Sequence, residues 1–468
     1  MPVYNVMDYG AAGDGVQNDA RAIQKAIDAC HKAGGGMVLV PGGKVFLSGT
    51  VTLKSHVNLH VEYGTKVLAS PDPADYPNTD LRCMIEARGA CNIALTGGGT
   101  IDGNGRRFIE GDLTYIYQPM DPALRARLVG LLDCRGVTVR DLTLLDSANW
   151  CLHLVGCEDV VIHGLRILND LKMPNCDGID PDHCRNVRIS DCHIQAGDDC
   201  IVLKTTAGYR QFGPTENITV TGCTLISTSA AIKIGSESTQ DFRNLVFQSC
   251  VIRNSSRGLA IQLRDQGNVE NVVFANMTVE TRLFEDHWWG KAEPIYVTAI
   301  RRFRDEPDSY PEWNPTGAIG RVRHVRFSNL LCSGENGAFL SGNPDSPLED
   351  IVLDNVRLEV DKWTKWPGGR HDYRPCDKAG PAFRDPRKDP GLVDHPTAGV
   401  FIQHARDVVL HGVTVAWGSE RPPYFRHALE ANNVDGLRLE GFSGQPAHPG
   451  DDARRLDQVH LSNEGSQL

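Results

Sequence analysis

Two short motifs bring together three aspartates whose types and spacing suit general acid–base chemistry. The segment Asn175–Asp180 reads Asn-Cys-Asp-Gly-Ile-Asp, and Gly197–Cys200 reads Gly-Asp-Asp-Cys, which puts Asp198 21 residues after Asp177. This spacing is close to the period of a repeat that runs through most of the chain, so we expect Asp177, Asp198 and Asp199 to meet on one face. Neighbouring carboxylates repel one another, which a fold does not need. Paired carboxylates on a rigid sheet are the usual equipment for cutting a glycosidic bond.

The repeat is a short apolar strand signal that returns along the chain. Its copies are Asn92–Leu95, Gly136–Val139, Asp159–Ile162, Asn186–Ile189, Asn217–Val220, Asn244–Phe247, Asn271–Phe274, His324–Phe327, Asp350–Leu353 and Asp407–Leu410. From Val137 to Val272 the intervals are 23 to 31 residues, and the longer gaps 272–325 and 351–408 predict one or two turns plus an insertion. A period in the twenties without a helical pattern indicates a solenoid. Because the leucine ladder and helix of leucine-rich repeats are missing, the sequence predicts an all-β, right-handed parallel β-helix with about three strands in each turn, or rung.

The repeat also predicts the organisation of the chain. A solenoid grows along one axis, so we expect one domain over residues 1–468, with residues 1–45 as an N-terminal cap. Within the cap, the sequence predicts an amphipathic helix over residues 19–32 with its N-cap at Asn18. The residues at helical spacing are Ala22, Ile23, Ala26, Ile27 and Cys30. Two segments rich in proline and charge, 302–320 and 363–397, are predicted to be loop insertions.

Composition narrows the class of partner. The net charge of −11 argues against nonspecific nucleic-acid binding. We expect no membrane partner, since no apolar run is long enough to span a bilayer, and a cytoplasmic location, since no signal-peptide pattern precedes Tyr4. The 14 cysteines form no zinc-binding pattern and are expected to be buried thiols. No cofactor or metal is expected, and composition leaves the oligomeric state open.

Alignment of successive rungs gives three columns of side chains. The first column is Trp150, Asp177, Asp199, Ala230, Arg257 and, at a sixth rung, Glu293. The second, three residues further on, is His153, Asp180, Val202, Lys233, Ala260 and Tyr296. The third is Asp182, Lys204, Gly235, Gln262 and Thr298. A strip that mixes acids, bases and aromatics suits a sugar with hydroxyl or carboxylate groups.

At the two aspartate motifs the chain resembles glycoside hydrolase family 28, the polygalacturonase-like enzymes. The similarity begins at Tyr4–Ala11 and Gly13–Gly15, is strongest at Asn175–Asp182 and Gly197–Lys204, and spans roughly residues 3–300. The resemblance implies a right-handed parallel β-helix that hydrolyses pectin-type glycosidic bonds with inversion. It also implies that Asp198 is the general acid, that Asp177 and Asp199 are the bases that activate water, and that no metal takes part.

The chain departs from the family at two basic motifs that hold the substrate carboxylate. Ser229-Ala230-Ala231 stands where the family has Gly-His-Gly, and Ala260-Ile261-Gln262 stands where it has Arg-Ile-Lys. A sugar other than galacturonate at the cleavage site is the simplest account. The candidate substrate-binding residues are Asn175, Lys204, Lys233, Arg257, Gln262, Arg264, Trp150, His153, Trp288, Trp289 and Glu293, with Arg282, Arg301 and Arg302 as further partners for uronate carboxylates.

Three functions stay open at this stage. The first is an inverting, exo-acting hydrolase of oligosaccharides related to pectin or containing other uronic acids. The second is a polysaccharide lyase on the same fold, in which Asp177, Asp180 and Asp199 would be Ca²⁺ ligands. The third is a noncatalytic glycan-binding β-helix, in which Asp198→Asn would leave binding unchanged.

Overall fold

The structure is a computed structural model that describes residues 2–121, 124–285, 288–301, 318–374 and 391–462. The chain forms two compact units. The first unit is Met1–Val202 with Asn217–Thr224, and the second is Leu203–Glu216 with Leu225–Leu468. Residues 302–317 and 375–390 of the two predicted insertions lie outside the described residues. The single domain over 1–468 and the cap over 1–45 stay predictions.

A left-handed residue at the turn opens each copy of the repeated segment. The φ angles are +54° at Asn92, +68° at Gly136, +58° at Asp159 and +56° at Asn186. Asn, Asp and Gly tolerate this conformation better than other residues, which is why they recur before the strands. Their side chains also join neighbouring rungs, as when Asn186 Nδ2 donates to Asp159 Oδ1 at 3.2 Å. The left-handed turn residue is therefore as regular a part of the repeat as the apolar strand that follows it.

The first unit is built from parallel strands, with three strands in each complete rung. Ile93 pairs with Val137, Val137 with Val160, and Val160 with Val187 in an unbroken register. Its strands are Val3–Asn5, Asp14–Asn18, Gly36–Val40, Val45–Ser48, Val51–Leu53, Val57–Val61, Lys66–Ala69, Cys83–Arg88, Cys91–Gly97, Thr100–Asp102, Arg127–Leu132, Arg135–Arg140, Thr143–Leu145, Leu152–Val155, Glu158–His163, Arg166–Leu168, Ile179–Asp182, Arg185–Ser190 and His193–Ala196, with a side hairpin of Ile109–Asp112 and Tyr117–Pro119. This unit also contains the short 3₁₀ helices Val6–Tyr9, Pro73–Asp75 and Gly105–Phe108.

Three strands contain the residues at which the chain passes from one unit to the other. They are Ile201–Thr205, Thr215–Thr221 and Thr224–Ser227, and the second unit also has a 3₁₀ helix, Ala207–Phe212. The other strands of the second unit are Ala230–Ser238, Phe242–Gln248, Val251–Ser255, Arg257–Leu263, Val269–Thr281, Ile295–Ala299, Val322–Gly334, Ala338–Ser341, Leu348–Val360, Val400–His411, Thr414–Trp417, Leu429–Glu440, Ser443–Gly444 and Arg454–Leu461, with a side hairpin of Arg370–Asp372 and Leu392–Asp394. The parallel β-helix predicted from the sequence is confirmed.

The register of the second unit resolves the two long gaps in the repeat. Val272 pairs directly with Val325, and Ile351 pairs directly with Val408. Each gap therefore spans one rung and an insertion. Inside this unit Phe274 stacks on Phe247 at 4.9 Å and on Phe327 at 5.0 Å. These separations match the spacing of about 4.8 Å between adjacent strands, so identical side chains form a continuous core ladder.

A helix covers the first rung, as the sequence predicts. It spans Ala20–Lys32, and its buried residues are Ala22, Ile23, Ala26, Ile27 and Cys30. It packs on the strands Val3–Asn5, Gly36–Val40 and Val57–Val61. The predicted N-cap is wrong by one residue, because Asp19 occupies that position and Asn18 instead accepts the Ala20 amide at 3.1 Å. The Asp19 carboxylate faces the preceding turn, where it accepts the amides of Ala12 at 2.7 Å and Gly13 at 3.0 Å.

The cysteines behave as small apolar residues. Every cysteine in the described ranges is a free thiol, and all of these except Cys91 are buried. Burial raises the pKa of Cys83 and of Cys332 to about 12, so these thiols stay protonated at neutral pH. Within the part of the chain that the structure describes, no helix has the length and apolar character needed to cross a membrane.

Candidate active site

The carboxylates of Asp177, Asp198 and Asp199 meet in the first unit. One oxygen of each lies within 4.8 Å of one oxygen of the other two. All three residues are buried, with exposed fractions of 2%, 8% and 1% respectively. Three acids this close place a strongly acidic cluster in a poorly solvated space.

Strand register explains why the three acids converge. The amide of Gly178 donates to the Asp199 carbonyl at 2.9 Å, and the amide of Ile179 donates to the Cys200 carbonyl at 2.9 Å. These bonds put Asp177 beside Asp199, just before the paired strands Ile179–Asp182 and Ile201–Thr205, with Asp198 one residue earlier. The first column predicted from the sequence therefore holds in this unit, where the Cys151 amide also donates to the Asp177 carbonyl at 3.0 Å.

The glycines of both motifs allow the strands to approach. A Cβ on Gly178 would lie 2.4 Å from the Cys200 carbonyl oxygen and 2.7 Å from Ile194 Cγ2. A Cβ on Gly197 would lie 2.3 Å from the Met173 carbonyl oxygen. Both contacts are closer than carbon atoms tolerate, so only glycine fits without moving the aspartate beside it.

Two backbone amides bind Asp198 from different sides. Its Oδ1 accepts the Asp199 amide at 3.1 Å, and its Oδ2 accepts the Asn175 amide at 3.3 Å. Asn175 has a φ of +56°, and its side-chain oxygen accepts Nη2 of Arg125 at 3.2 Å. The nearby Cys176 thiol has a raised pKa, first because it is buried and then because Asp198 and Asp177 are close. Sequence reasoning missed Arg125, which lies outside every periodic segment.

A second buried residue holds the loop before Asp177. Asn169 Nδ2 donates to the Cys176 carbonyl at 2.9 Å, and Asn169 Oδ1 accepts the Ser147 amide at 3.0 Å. Because Asn169 is itself 1% exposed, it ties this loop to the preceding rung without water. Nothing in its local sequence distinguishes it from other turn asparagines.

Trp150 and His153 contact each other on the rung before Asp177. Their rings meet edge to face with centroids 4.7 Å apart, and the Arg127 guanidinium lies 4.9 Å from the centroid of the Trp150 ring. His153 is 1% exposed, and its Nε2 lies 3.3 Å from Asp182 Oδ2. These contacts favour packing for His153, and stacking of half-buried Trp150 on a sugar stays a prediction.

The other candidate substrate-binding residues, apart from Asn175, belong to the second unit. Lys204 is 3% exposed, with Nζ 3.1 Å from Glu237 Oε2, and Lys233 is 9% exposed. Gly235 pairs with Gln262, and Lys233 pairs with Ala260, as the sequence columns predict. Binding of substrate by Lys204 and Lys233 stays a prediction.

Arg257 and Glu293 lie in a buried ionic network. Arg257 Nε is 3.4 Å from Glu293 Oε2, and Arg257 Nη2 is 3.2 Å from Asp372 Oδ2. Asp372 also binds Arg374 at 2.8 Å, and the Arg257 guanidinium lies 3.7 Å from the centroid of the Tyr296 ring. Burial alone would raise the pKa of Asp372, but Arg374 and Arg257 hold this pKa well below its usual range.

Gln262 and Arg264 contact the same segment through its backbone. Gln262 Nε2 donates to the Arg374 carbonyl at 3.2 Å, and Arg264 Nη2 donates to the Tyr373 carbonyl at 3.1 Å. Both side chains are buried. Their contacts favour a structural role, as do those of Arg257 and Glu293, and the substrate-binding role assigned to all four stays a prediction.

The two adjacent tryptophans differ in exposure. Trp288 is 5% exposed and packs into the unit, whereas Trp289 is half-buried with the Arg374 guanidinium 5.1 Å from its ring centroid. Of the arginines proposed to bind uronate, Arg282 lies 4.1 Å from the centroid of the Phe284 ring and Arg301 binds Asp345 at 2.9 Å. Arg302 lies outside the described residues.

Comparison with known proteins places these motifs in a family. The model of the family described as "Glycosyl hydrolases family 28" matches residues 30–282. A probable polygalacturonase from Vitis vinifera is 29% identical over 388 residues, which are 76% of this chain and 74% of that protein. A hyperthermoactive exopolygalacturonase from Thermotoga maritima aligns with a TM-score of 0.62 at 26% identity, over 77% of this chain and 87% of that one. A family 28 exopolygalacturonase from Yersinia enterocolitica shares the fold with a TM-score of 0.69 at 20% identity, over 100% of this chain and 79% of that one.

Proposed function

The chain belongs to glycosyl hydrolase family 28 and is a glycosidase, and from this membership we propose that it hydrolyses pectin-related or other uronic-acid-containing oligosaccharides. The observation that carries the proposal is the convergence of Asp177, Asp198 and Asp199 within 4.8 Å of one another. The two departures from the family's basic motifs leave the sequence of both aspartate motifs unchanged.

Each acid has a role in the proposed reaction. Asp198 protonates the glycosidic oxygen as the bond from that oxygen to the anomeric carbon breaks. Asp177 and Asp199 hold a water molecule and accept its proton as its oxygen bonds to the anomeric carbon. The proton lost by Asp198 and the proton gained by the bases balance over the reaction, so no cofactor is consumed.

We propose inversion on the strength of the family resemblance. Carboxyl groups of inverting glycosidases are typically about 6.5–9.5 Å apart, and those of retaining enzymes about 5–5.5 Å apart. The approach of the oxygens within 4.8 Å is closer to the retaining distance, so separation alone does not support inversion. The presence of a third carboxylate supports inversion, because Asp177 and Asp199 can both bind the water molecule while Asp198 faces the leaving oxygen.

The side chains at the two altered motifs of the second unit favour a substrate other than plain polygalacturonan. At the positions of the family's basic motifs, Ala230 and Ala260 pack with Tyr296, Phe339 and Phe401 in an apolar cluster. Neither Ala230 nor Ala260 can itself supply a cation for a galacturonate carboxylate. The backbone carbonyls of residues 372–374 accept hydrogen bonds from the side chains of Arg257, Gln262 and Arg264. This segment therefore covers part of the predicted strip, which supports exo action. The similar Thermotoga maritima protein is itself called an exopolygalacturonase.

A screen of the purified protein against polygalacturonan, rhamnogalacturonan and other uronide oligosaccharides tests this proposal. We expect new reducing ends, release of products from one chain end, and no change after treatment with a chelator. Unsaturated products that absorb in the near ultraviolet, together with loss of activity in chelator, would instead identify a Ca²⁺-dependent lyase. Binding without any cleavage would identify a glycan-binding protein.

A further inference from the structure

One peptide group joins a buried arginine to Asp198. The carbonyl oxygen of Pro174 accepts Nη1 of Arg125 at 3.1 Å. The amide of Asn175, which belongs to the same peptide group, donates to Asp198 Oδ2 at 3.3 Å. In a planar trans peptide the C=O and N–H bonds point in opposite directions. The Pro174–Asn175 peptide therefore presents its oxygen to a cation and its hydrogen to a carboxylate.

The arginine is held firmly in this position. Arg125 is 2% exposed, and it also donates to the Ala148 carbonyl at 3.0 Å and to Asn175 Oδ1 at 3.2 Å. Burial lowers the pKa of Arg125 to about 10, which still leaves it cationic at neutral pH. A buried cation that binds neutral carbonyls polarises them, and hydrogen bonds in such a chain strengthen one another. The Asn175 amide is thereby made a stronger donor to Asp198.

We propose that Arg125 is a positioning residue that sets the orientation and proton affinity of Asp198 through the Pro174–Asn175 peptide. The inference rests on the proposed function, in which Asp198 donates the proton. Asp177 and Asp199 face Asp198 and favour its protonated form, as does the buried surrounding that includes the Cys176 thiol. The amides of Asn175 and Asp199 favour its ionised form. Arg125 further favours the ionised form of Asp198, because it strengthens the hydrogen bond from the Asn175 amide.

Kinetics of Arg125→Met and Arg125→Lys test the proposal on a cleaved oligosaccharide. We expect Arg125→Met to lower kcat about tenfold or more, with a smaller change in KM, because a misplaced acid costs rate more than binding. The weaker amide should also move the alkaline limb of the pH profile of kcat/KM to higher pH. Arg125→Lys keeps the charge but loses the guanidinium fork, so both effects should be intermediate.

Arg82→Met is the matched control. Arg82 is a partly buried arginine of the same unit whose Nη2 donates to the Pro73 carbonyl at 2.7 Å. Its loss should leave kcat and the pH limb unchanged even where it lowers the melting temperature. A wild-type pH profile in folded Arg125→Met overturns the inference. A wild-type protein that cleaves none of the oligosaccharides overturns the proposed function instead.

A titration that needs no turnover separates these two outcomes. Carboxyl ¹³C NMR of protein labelled at aspartate would follow Asp198, whose signal is identified by its loss in Asp198→Asn. The midpoint for Asp198 should be higher in Arg125→Met than in the wild-type protein, and intermediate in Arg125→Lys. Equal midpoints in all three proteins would refute the role of Arg125. If Arg125→Met does not fold, the kinetics and the titration are carried out on Arg125→Lys. Wild-type values of kcat, of the pH limb and of the Asp198 midpoint in that variant would refute the role of Arg125.

Discussion

Asp177 lies directly beside Asp199 just before two adjacent parallel strands, and the hydrogen bond from the Gly178 amide to the Asp199 carbonyl, 2.9 Å long, fixes this relationship. Two residues that are one rung apart in sequence thus become neighbours through backbone geometry alone. The backbones of the two residues cannot separate unless this hydrogen bond between the rungs breaks. A solenoid is therefore a rigid support for acids that must stay close together.

Asp198→Asn should reduce kcat at least about 10²-fold, because an amide cannot protonate the leaving oxygen. The melting temperature should change little, since an asparagine of the same shape still accepts one of the two amides, those of Asp199 and Asn175, and removes a charge that is repelled by two neighbouring acids. Steady-state kinetics and a thermal melt check both parts. Asp191→Asn, on an exposed aspartate of the same unit, is the control and should keep full activity. Retained turnover in Asp198→Asn would remove the general acid from the mechanism.

The first product anomer should have the opposite configuration to the bond that is cleaved. ¹H NMR of a fresh reaction, read before mutarotation, records that anomer directly. Inversion is expected because, in the proposed reaction, two carboxylates bind the attacking water and no covalent intermediate forms. A product that first appears with retained configuration would make Asp177 or Asp199 a nucleophile.

The sequence predicts the parts of the structure that depend on local periodicity. Left-handed Asn186 and its counterparts mark the turns, and the aspartate spacing of about one rung predicts that Asp177 and Asp199 meet. Residues outside the repeat carry no such signal. Arg125 reaches Asn175 across 50 positions, and Arg257 reaches Asp372 across 115 positions. Both contacts depend on where a loop folds back, which periodicity does not encode.

Gly178→Ala should destabilise the protein by about 1–3 kcal/mol, because the new methyl group would overlap the Cys200 carbonyl oxygen, 2.4 Å away. The strands can relieve this overlap only by separating, which moves Asp177 away from Asp199 and lowers kcat. Urea denaturation and kinetics measure the two effects. Gly208→Ala is the control, since a Cβ there meets nothing within 4 Å. Equal stability of the two variants would contradict the close approach of the strands.

Asp372→Asn should destabilise the second unit by about 3–5 kcal/mol at neutral pH, because it leaves the Arg257 and Arg374 charges buried without their shared carboxylate. The pKa of Asp372 is lowered in the folded state, so its stabilising contribution is present above the unfolded pKa, about 3.9, and is lost as the pH falls below it. Urea denaturation at several pH values should show the difference between variant and wild type shrinking in acid. A difference that stays constant from neutral pH to about pH 2 would contradict this linkage.

Trp289 and Trp288 should respond differently to alanine substitution although they are adjacent. Trp289 is half-buried beside Arg374, so Trp289→Ala should raise KM several-fold through lost stacking on a sugar ring while the fold persists. Trp288 is 5% exposed, so Trp288→Ala should cost about 3–5 kcal/mol of stability by opening a cavity. Kinetics and urea denaturation of both variants separate the two roles. An unchanged KM in Trp289→Ala would assign both tryptophans to packing, because a side chain that contacts substrate cannot be removed without weakening substrate binding.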